Sequence, residues 1–223
     1  METNDVIKWI GHASFIFRAN SMNVFVDPFS VSAAVNSKAD IILITHAHFD
    51  HCSKDDIDRV RSEGTKIVAA PGCLDAKEYS GLEVMRPGQS KDIMGIRIEA
   101  VPAYNTNQAR LSYHPRQNDW VGYVVDVDGM RVYHAGDTDF VDEMKSLSSI
   151  DLALLPIGGK YTMDVGEAIS AADAIGAKRT VPMHYKSLLG REGSMEAEKK
   201  FLGAVKGASL MHEIQEPTYA FKQ

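Results

Sequence analysis

Apolar residues recur along this chain in short blocks separated by turn-forming pairs, and the spacing of the blocks outlines a fold. Residues 6–10, 13–18 and 22–27 predict three strands joined by tight connections at Gly11-His12 and Asn20-Ser21, an antiparallel start. The run Ile41-Ile42-Leu43-Ile44 is apolar on both faces, which predicts a strand covered from two sides. Further strand-like segments lie near 66–70, 96–101, 120–127, 130–135, 151–156 and 179–183. Caps mark two helices: Ser53 stands three residues before Asp56 and Asp164 three before Glu167, with Gly64 and Gly176 placed to end them. Strands are adjacent in some stretches and alternate with helices in others. This predicts an α/β architecture of two sheets covered by helices rather than one parallel, doubly wound sheet.

With 223 residues, 44% of them hydrophobic, the chain can bury a large core. No repeat, low-complexity tract or linker divides it, so a single domain over 1–223 is expected. Charged residues are well mixed and the formal net charge is -6, which argues against a polyanion-binding surface and hence against a nucleic-acid partner. Residues 1–10 lack a basic segment followed by an apolar one, and no apolar run approaches the roughly 20 residues that cross a bilayer. A cytoplasmic protein with no membrane partner is expected, and its two cysteines, Cys52 and Cys73, should remain thiols.

The chemistry concentrates in Thr45-His46-Ala47-His48-Phe49-Asp50-His51, directly after the doubly covered strand. Alternate side chains of an extended segment point the same way, so His46 and His48 can chelate one ion together. A turn into the helix capped by Ser53 would redirect Asp50 and His51 toward a neighbouring position, where a second ion could sit. Imidazole and carboxylate donors without thiolates suit a catalytic zinc, manganese or iron site better than a structural zinc finger. A lone H-x-H pair is more often polar loop; three histidines and an aspartate within six positions are not. Asp27, Asp137 and His184 each follow an apparent strand. Singly, Asp27 could be a turn residue and Asp137 a helix cap. Together they lie where strand ends share an edge and functional groups gather.

From about Trp9 to Tyr185 the chain resembles the metallo-β-lactamase-fold hydrolase superfamily, whose signature is the H-x-H-x-D-H run. Gly11-His12-Ala13-Ser14-Phe15, Asp27-Pro28, Ala135-Gly136-Asp137-Thr138 and Pro182-Met183-His184-Tyr185 resemble one branch of it. That branch contains ascorbate-6-phosphate lactonase and the N-acyl phosphatidylethanolamine-hydrolysing phospholipase D. The resemblance implies a four-layer αββα sandwich with a two-metal site at one edge. It implies that His46 and His48 bind one ion, that Asp50, His51 and His184 bind the other, and that Asp137 bridges both. Asp27 would orient a ligand histidine or the loop. The two ions would be divalent, zinc first, with manganese and iron as alternatives.

The family supplies the first ion with another histidine, from a strand end between the signature and the bridging aspartate. Here Asn105 stands where that residue is expected, and either the first ion is less firmly held or His114 replaces it. His12 is either a hairpin residue or faces the pocket, His134 fits an orienting role better than ligation, and His212 is structural or exposed. Gly158 and Gly159 make a turn, and Lys160 and Tyr161 beside it are candidate substrate contacts, because the spacing is not that of a phosphate-binding loop.

The expected activity is hydrolysis of a small ester, lactone or phosphoester by a metal-bridging hydroxide, with Asp50 assisting proton transfer as well as ligating. No G-x-S-x-G elbow or reactive-cysteine signature offers another nucleophile. The partner is then a small-molecule substrate. A nuclease of the same superfamily would show a basic patch or an added nucleic-acid-binding domain, and neither is visible. A metal-binding sensor that has lost turnover is the third reading, with Asn105 as its support.

Overall fold

A computed structural model of the chain describes residues 6–214. The antiparallel start forms as β1 (Ile7–Gly11), β2 (Ser14–Ala19) and β3 (Met22–Val26). Asn20 and Ser21, both at positive φ, close the second hairpin as a two-residue loop requires. Parallel to β3 run β4 (Ile41–Ile44), β5 (Lys66–Ala69) and the two-residue β6 (Glu83–Val84), in the order β1-β2-β3-β4-β5-β6. The second sheet contains β7 (Ser90–Ile93), β8 (Ile96–Pro102), β9 (Val121–Val127), β10 (Met130–His134), β11 (Leu152–Pro156) and β12 (Arg179–Met183). Its order is β12-β11-β10-β9-β8-β7, with β10, β11 and β12 parallel.

Period-two alternation explains how the sheets stack. Val24, Val26, Ile41 and Leu43 face the second sheet and join Ile98, Val125 and Leu154 in the central core. Phe25, Ile42 and Ile44 face the other way and pack beneath Ile57 and Val60 of α1 (Lys54–Val60). Helices α2 (Val165–Ile175) and α3 (Lys186–Ala204) cover β11 and β12 on the far side, completing the αββα order of layers. None of the described helices is long and apolar enough to cross a membrane.

The helix signals read from the sequence hold unequally. Asp164 and Glu167 form a complete capping box, and Gly176 ends α2 in the left-handed conformation. Ser53 caps α1, but Asp56 does not return the bond; its carboxylate instead accepts the amides of Ser30 and Val31, tying down the loop after β3. Gly64 does not end this helix. The helix stops at Val60, whose carbonyl is taken by the amide of Ala39 at the entry to β4. The sequence reading also passed over β6, β7 and the whole of α3, which breaks at Gly190.

Candidate metal centre

The parallel strands β3, β4, β10 and β12 deliver Asp27, the His46–His51 segment, Asp137 and His184 to one edge of the sandwich. Three of the residues turned inward there, His12, Asp27 and His184, hold positive φ angles of 53, 45 and 56°. Such angles are uncommon outside glycine and concentrate where surrounding structure enforces them for function. The enforcement is visible: the amide of His184 donates to the His12 carbonyl at 3.1 Å, and Trp9 Nε1 donates to the same carbonyl at 3.0 Å. Across the sandwich the amide of Val121 donates to the Thr45 carbonyl at 3.1 Å, fixing β9 beside the end of β4.

Hydrogen bonds decide which ring nitrogen each histidine presents. Asp27, fully buried, accepts from the Thr45 amide at 2.8 Å, from Thr45 Oγ1 at 2.6 Å and from His51 Nδ1 at 2.7 Å. Because Thr45 Oγ1 spends its proton on Asp27, it accepts from His46 Nδ1 at 3.0 Å. His114 Nδ1 donates to Asn105 Oδ1 at 2.8 Å. All three imidazoles therefore carry a proton on Nδ1 and turn Nε2 toward a common centre.

Asp137 occupies that centre. One carboxylate oxygen lies 3.4 Å from His51 Nε2, and the other lies 3.3 Å from His114 Nε2, 3.2 Å from His184 Nε2 and 4.0 Å from His46 Nε2. The donors separate into two groups around it: His46, His48 and His114 on one side, and His12, Asp50, His51 and His184 on the other. His114 thus joins His46 and His48, whereas Asn105 faces the His114 ring from behind.

These residues fit a divalent metal. His51 Nε2, His114 Nε2, both nitrogens of His184 and Asp137 Oδ1 are buried without a hydrogen-bond partner, a concentration of unsatisfied polar atoms that requires a counterpart. His46 Nε2 and His48 Nδ1 lie 3.1 Å apart, close to the roughly 3.3 Å that separates two nitrogens on a tetrahedral zinc.

The electrostatics agree with that chemistry. Burial alone would raise the carboxyl of Asp137, but the His184 and His51 imidazoles outweigh it and hold it well below the usual carboxylate range. Burial opposes charge on His51, yet Asp137 and Asp27 together raise it well above an ordinary histidine, so an incoming ion would displace the Nε2 proton. Burial lowers His46 and His48 and keeps both neutral. Asp50 would be raised by burial but is lowered strongly by its bond to His12 and by the charge of His51.

Further expectations divide. His12 faces the site: its Nε2 donates to Asp50 Oδ2 at 3.1 Å, its Nδ1 meets Ser187 Oγ at 3.3 Å, and burial followed by His184 lowers it to about 4. His134 does not orient a ligand; Nε2 donates to the Ala13 carbonyl at 2.8 Å and Nδ1 accepts the Gly136 amide at 3.2 Å, pinning two loops by their backbones. His212 is exposed. Gly159 makes the expected turn at φ 75°, but Gly158 serves close approach, since a Cβ there would lie 2.5 Å from the His184 carbonyl. The Tyr161 carbonyl accepts from Asn105 Nδ2 at 3.0 Å, and Lys160 Nζ lies 4.9 Å above the Tyr161 ring.

Sequence reasoning missed the residues behind the donors. Asp139 accepts from Asn105 Nδ2 at 3.0 Å and from the amides of Thr106 and Asn107 at 2.8 Å, and its other partner is Arg110 Nε at 2.9 Å. Arg110 also reaches Glu167 at 2.6 Å. The Trp120 ring packs 5.1 Å from His46 and 5.0 Å from His48. Only Asp139 left a trace in the sequence, two positions beyond Asp137 in the same loop. A cleft of about 950 Å³ lies elsewhere, between β1–β3 and residues 210–214, and holds none of these donors.

The layers and the edge site together define a metallo-β-lactamase-type domain. The family model of the beta-lactamase superfamily domain matches residues 6–184, and the chain belongs to that superfamily. It is 34% identical to a UPF0173 metal-dependent hydrolase of Thermoplasma acidophilum, over 97% of this chain and 99% of the relative. It is 37% identical to another from Thermococcus kodakarensis, over 81% and 84%. The chain belongs with these UPF0173 proteins. Among solved structures, one from Parabacteroides distasonis is 36% identical with a TM-score of 0.82, covering 93% of this chain and 92% of that one. A metallo hydrolase of Ignicoccus hospitalis is 25% identical with a TM-score of 0.71, covering 94% and 95%.

Proposed function

We propose that this chain is a binuclear metal-dependent hydrolase acting on a small-molecule ester, lactone or phosphoester. The observation that carries the reading is the convergence of His46, His51, His114 and His184 on the single carboxylate of Asp137, with His48 and Asp50 grouped beside them and the Nε2 atoms of His51, His114 and His184 unpaired. His46, His48 and His114 would hold one ion, Asp50, His51 and His184 the other, and Asp137 would serve both. Divalent ions bound there, zinc first, with manganese and iron as alternatives, supply the acidity that ionises water near neutral pH and polarises a carbonyl or phosphoryl oxygen.

The chain's own groups do the rest. Asp27, Thr45 and Asn105 hold the histidine rings in the tautomer that offers Nε2. Asp50, with its side chain 17% exposed, would assist proton transfer from the nucleophile as well as ligate, while His12 steadies Oδ2. Carriage of that proton to the leaving group would complete hydrolysis without a covalent protein intermediate. The choice of lactone and phosphoester among the bonds rests on the branch resemblance of the loop motifs. The test is a panel of esters, lactones and phosphoesters offered with zinc, manganese and iron. Turnover abolished by Asp137→Ala is expected, and bound ions with no turnover on any substrate would count against the reading.

A further inference from the structure

Hydrogen bonds from behind turn His46, His114 and His51 toward the centre, through Thr45 at 3.0 Å, Asn105 at 2.8 Å and Asp27 at 2.7 Å. His48 has no such partner. Among the described residues its ring nitrogens meet only His46 Nε2, at 3.1 Å, and that contact joins two donors of one group. A ligating nitrogen carries no proton, so with an ion bound this contact holds neither ring in place. His184 also lacks a partner for its ring nitrogens, but it is enclosed and backed by the His12 ring at 3.8 Å. His48 is only half-buried.

The rings of His46, His114 and Trp120 pack on His48 at 4.8, 4.9 and 5.0 Å. The first two are donors themselves, so the indole alone can serve as a fixed wall. Its backbone is anchored on both sides: the Trp120 carbonyl accepts from the Ala103 amide at 3.0 Å, and the next amide, Val121, donates to the Thr45 carbonyl at 3.1 Å. Trp120 thus stands on the second sheet, and its ring meets the donor loop of the first. The two ring planes lie 74° apart, the edge-on arrangement that aromatic rings favour. We propose that Trp120 is the positioning residue of His48, setting by packing the ring orientation that hydrogen bonds set for the other two histidines of its group. This inference rests on the two-ion reading of the same site and adds how one donor of the first ion is held.

The test refills metal-free protein with cobalt(II), reads both affinities by stepwise competition with a chelator, and follows ligand geometry in the visible spectrum. Trp120→Leu should weaken the ion held by His46, His48 and His114 by about five- to tenfold and alter the cobalt spectrum, leaving the other ion unchanged. Trp120→Phe restores a ring at that position and should stay within about twofold of the wild type. In a His48→Ala background, Trp120→Leu should cost no further affinity, because the indole acts through that ring. Trp120→Met, which fills more of the indole volume without a ring, takes the place of leucine if that variant does not fold. Unchanged affinity in the ringless variant, a phenylalanine variant that loses as much, or a loss that persists without His48 would overturn the inference alone. Wild-type protein that binds no ion through His46, His48 and His114 would overturn the two-ion reading and this inference with it.

Discussion

Replacing Asn105 by alanine separates its two tasks in the metal centre. The side chain is 2% exposed and its amide is fully used: Oδ1 accepts from the amide and Nδ1 of His114 at 3.0 and 2.8 Å, and Nδ2 donates to Asp139 and to the Tyr161 carbonyl, each at 3.0 Å. Alanine leaves those partners buried and unsatisfied, at about 1–3 kcal/mol each. Asp139 keeps Arg110 and two amides, so the net loss should be roughly 3–5 kcal/mol, a fall in Tm of roughly 6–20 °C. The His114 ring also loses the acceptor that fixes its tautomer. An orienting partner of this kind is worth about 10- to 100-fold in metal affinity. A competitive chelator titration below the Tm of the variant measures it. Asn105→Asp keeps the acceptor and loses the donors, so it should retain metal while losing stability beside the Asp139 carboxylate. Because Asn105 acts through His114, His114→Ala and the double variant should bind metal equally. A folded Asn105→Ala with unchanged affinity, or Asn105→Asp losing as much metal as alanine, would refute this account.

Gly158→Ala would place a methyl group 2.5 Å from the His184 carbonyl and 2.7 Å from Leu188 Cδ1, displacing His184. Metal content under limiting zinc should drop toward one ion per chain, and a retained pair would contradict the assignment. Arg110→Met strands the buried Asp139 carboxylate and should cost about 3–5 kcal/mol in urea unfolding. An unchanged midpoint would show that the loop does not depend on this network. Glu213, raised by burial to about 7 although Lys186 pulls it down, is an acid whose folded pKa exceeds its unfolded one. The unfolded chain has lost this proton between pH 4.5 and 7 while the native chain still holds it, so Glu213 makes stability fall as pH rises through that window. Glu213→Gln should therefore gain on the wild type across that window, by roughly 1–3 kcal/mol, and then level off. A pH-independent difference in Tm would contradict it.

Legibility in the sequence followed the range of the interactions. Strands with clean alternation or full burial, from β1 to β5 and from β8 to β12, were readable because period two is a local property. Strand β6 has two residues and β7 reads Ser-Lys-Asp-Ile; edge strands of this kind carry almost no apolar signal. Helix α3 opens without a side-chain cap bond and contains glycines, so only packing against β12 reveals it. In the centre, the contiguous donors of His46–His51 were legible as a motif, and Asp27, Asp137 and His184 as strand ends. The relation between Asn105 and His114 was not. The strand end did supply the expected polar residue, but whether it faced the ion or the back of another ring depended on a histidine nine positions further along the loop.

That exchange of roles shows what the local architecture requires. A histidine presented from a strand end inherits the rigidity of the sheet, whereas one presented from a loop must have its orientation made elsewhere. Here it is made by a buried chain of partners, His114 to Asn105, Asn105 to Asp139, Asp139 to Arg110 and Arg110 to Glu167, which ends on the first turn of α2. The first-turn glutamate closes the capping box of α2 as well, so helix start and metal donor share one network. A loop histidine is thereby referred to the same rigid framework that carries Asp137. The cost is a set of buried charges, which only a fully partnered network makes tolerable.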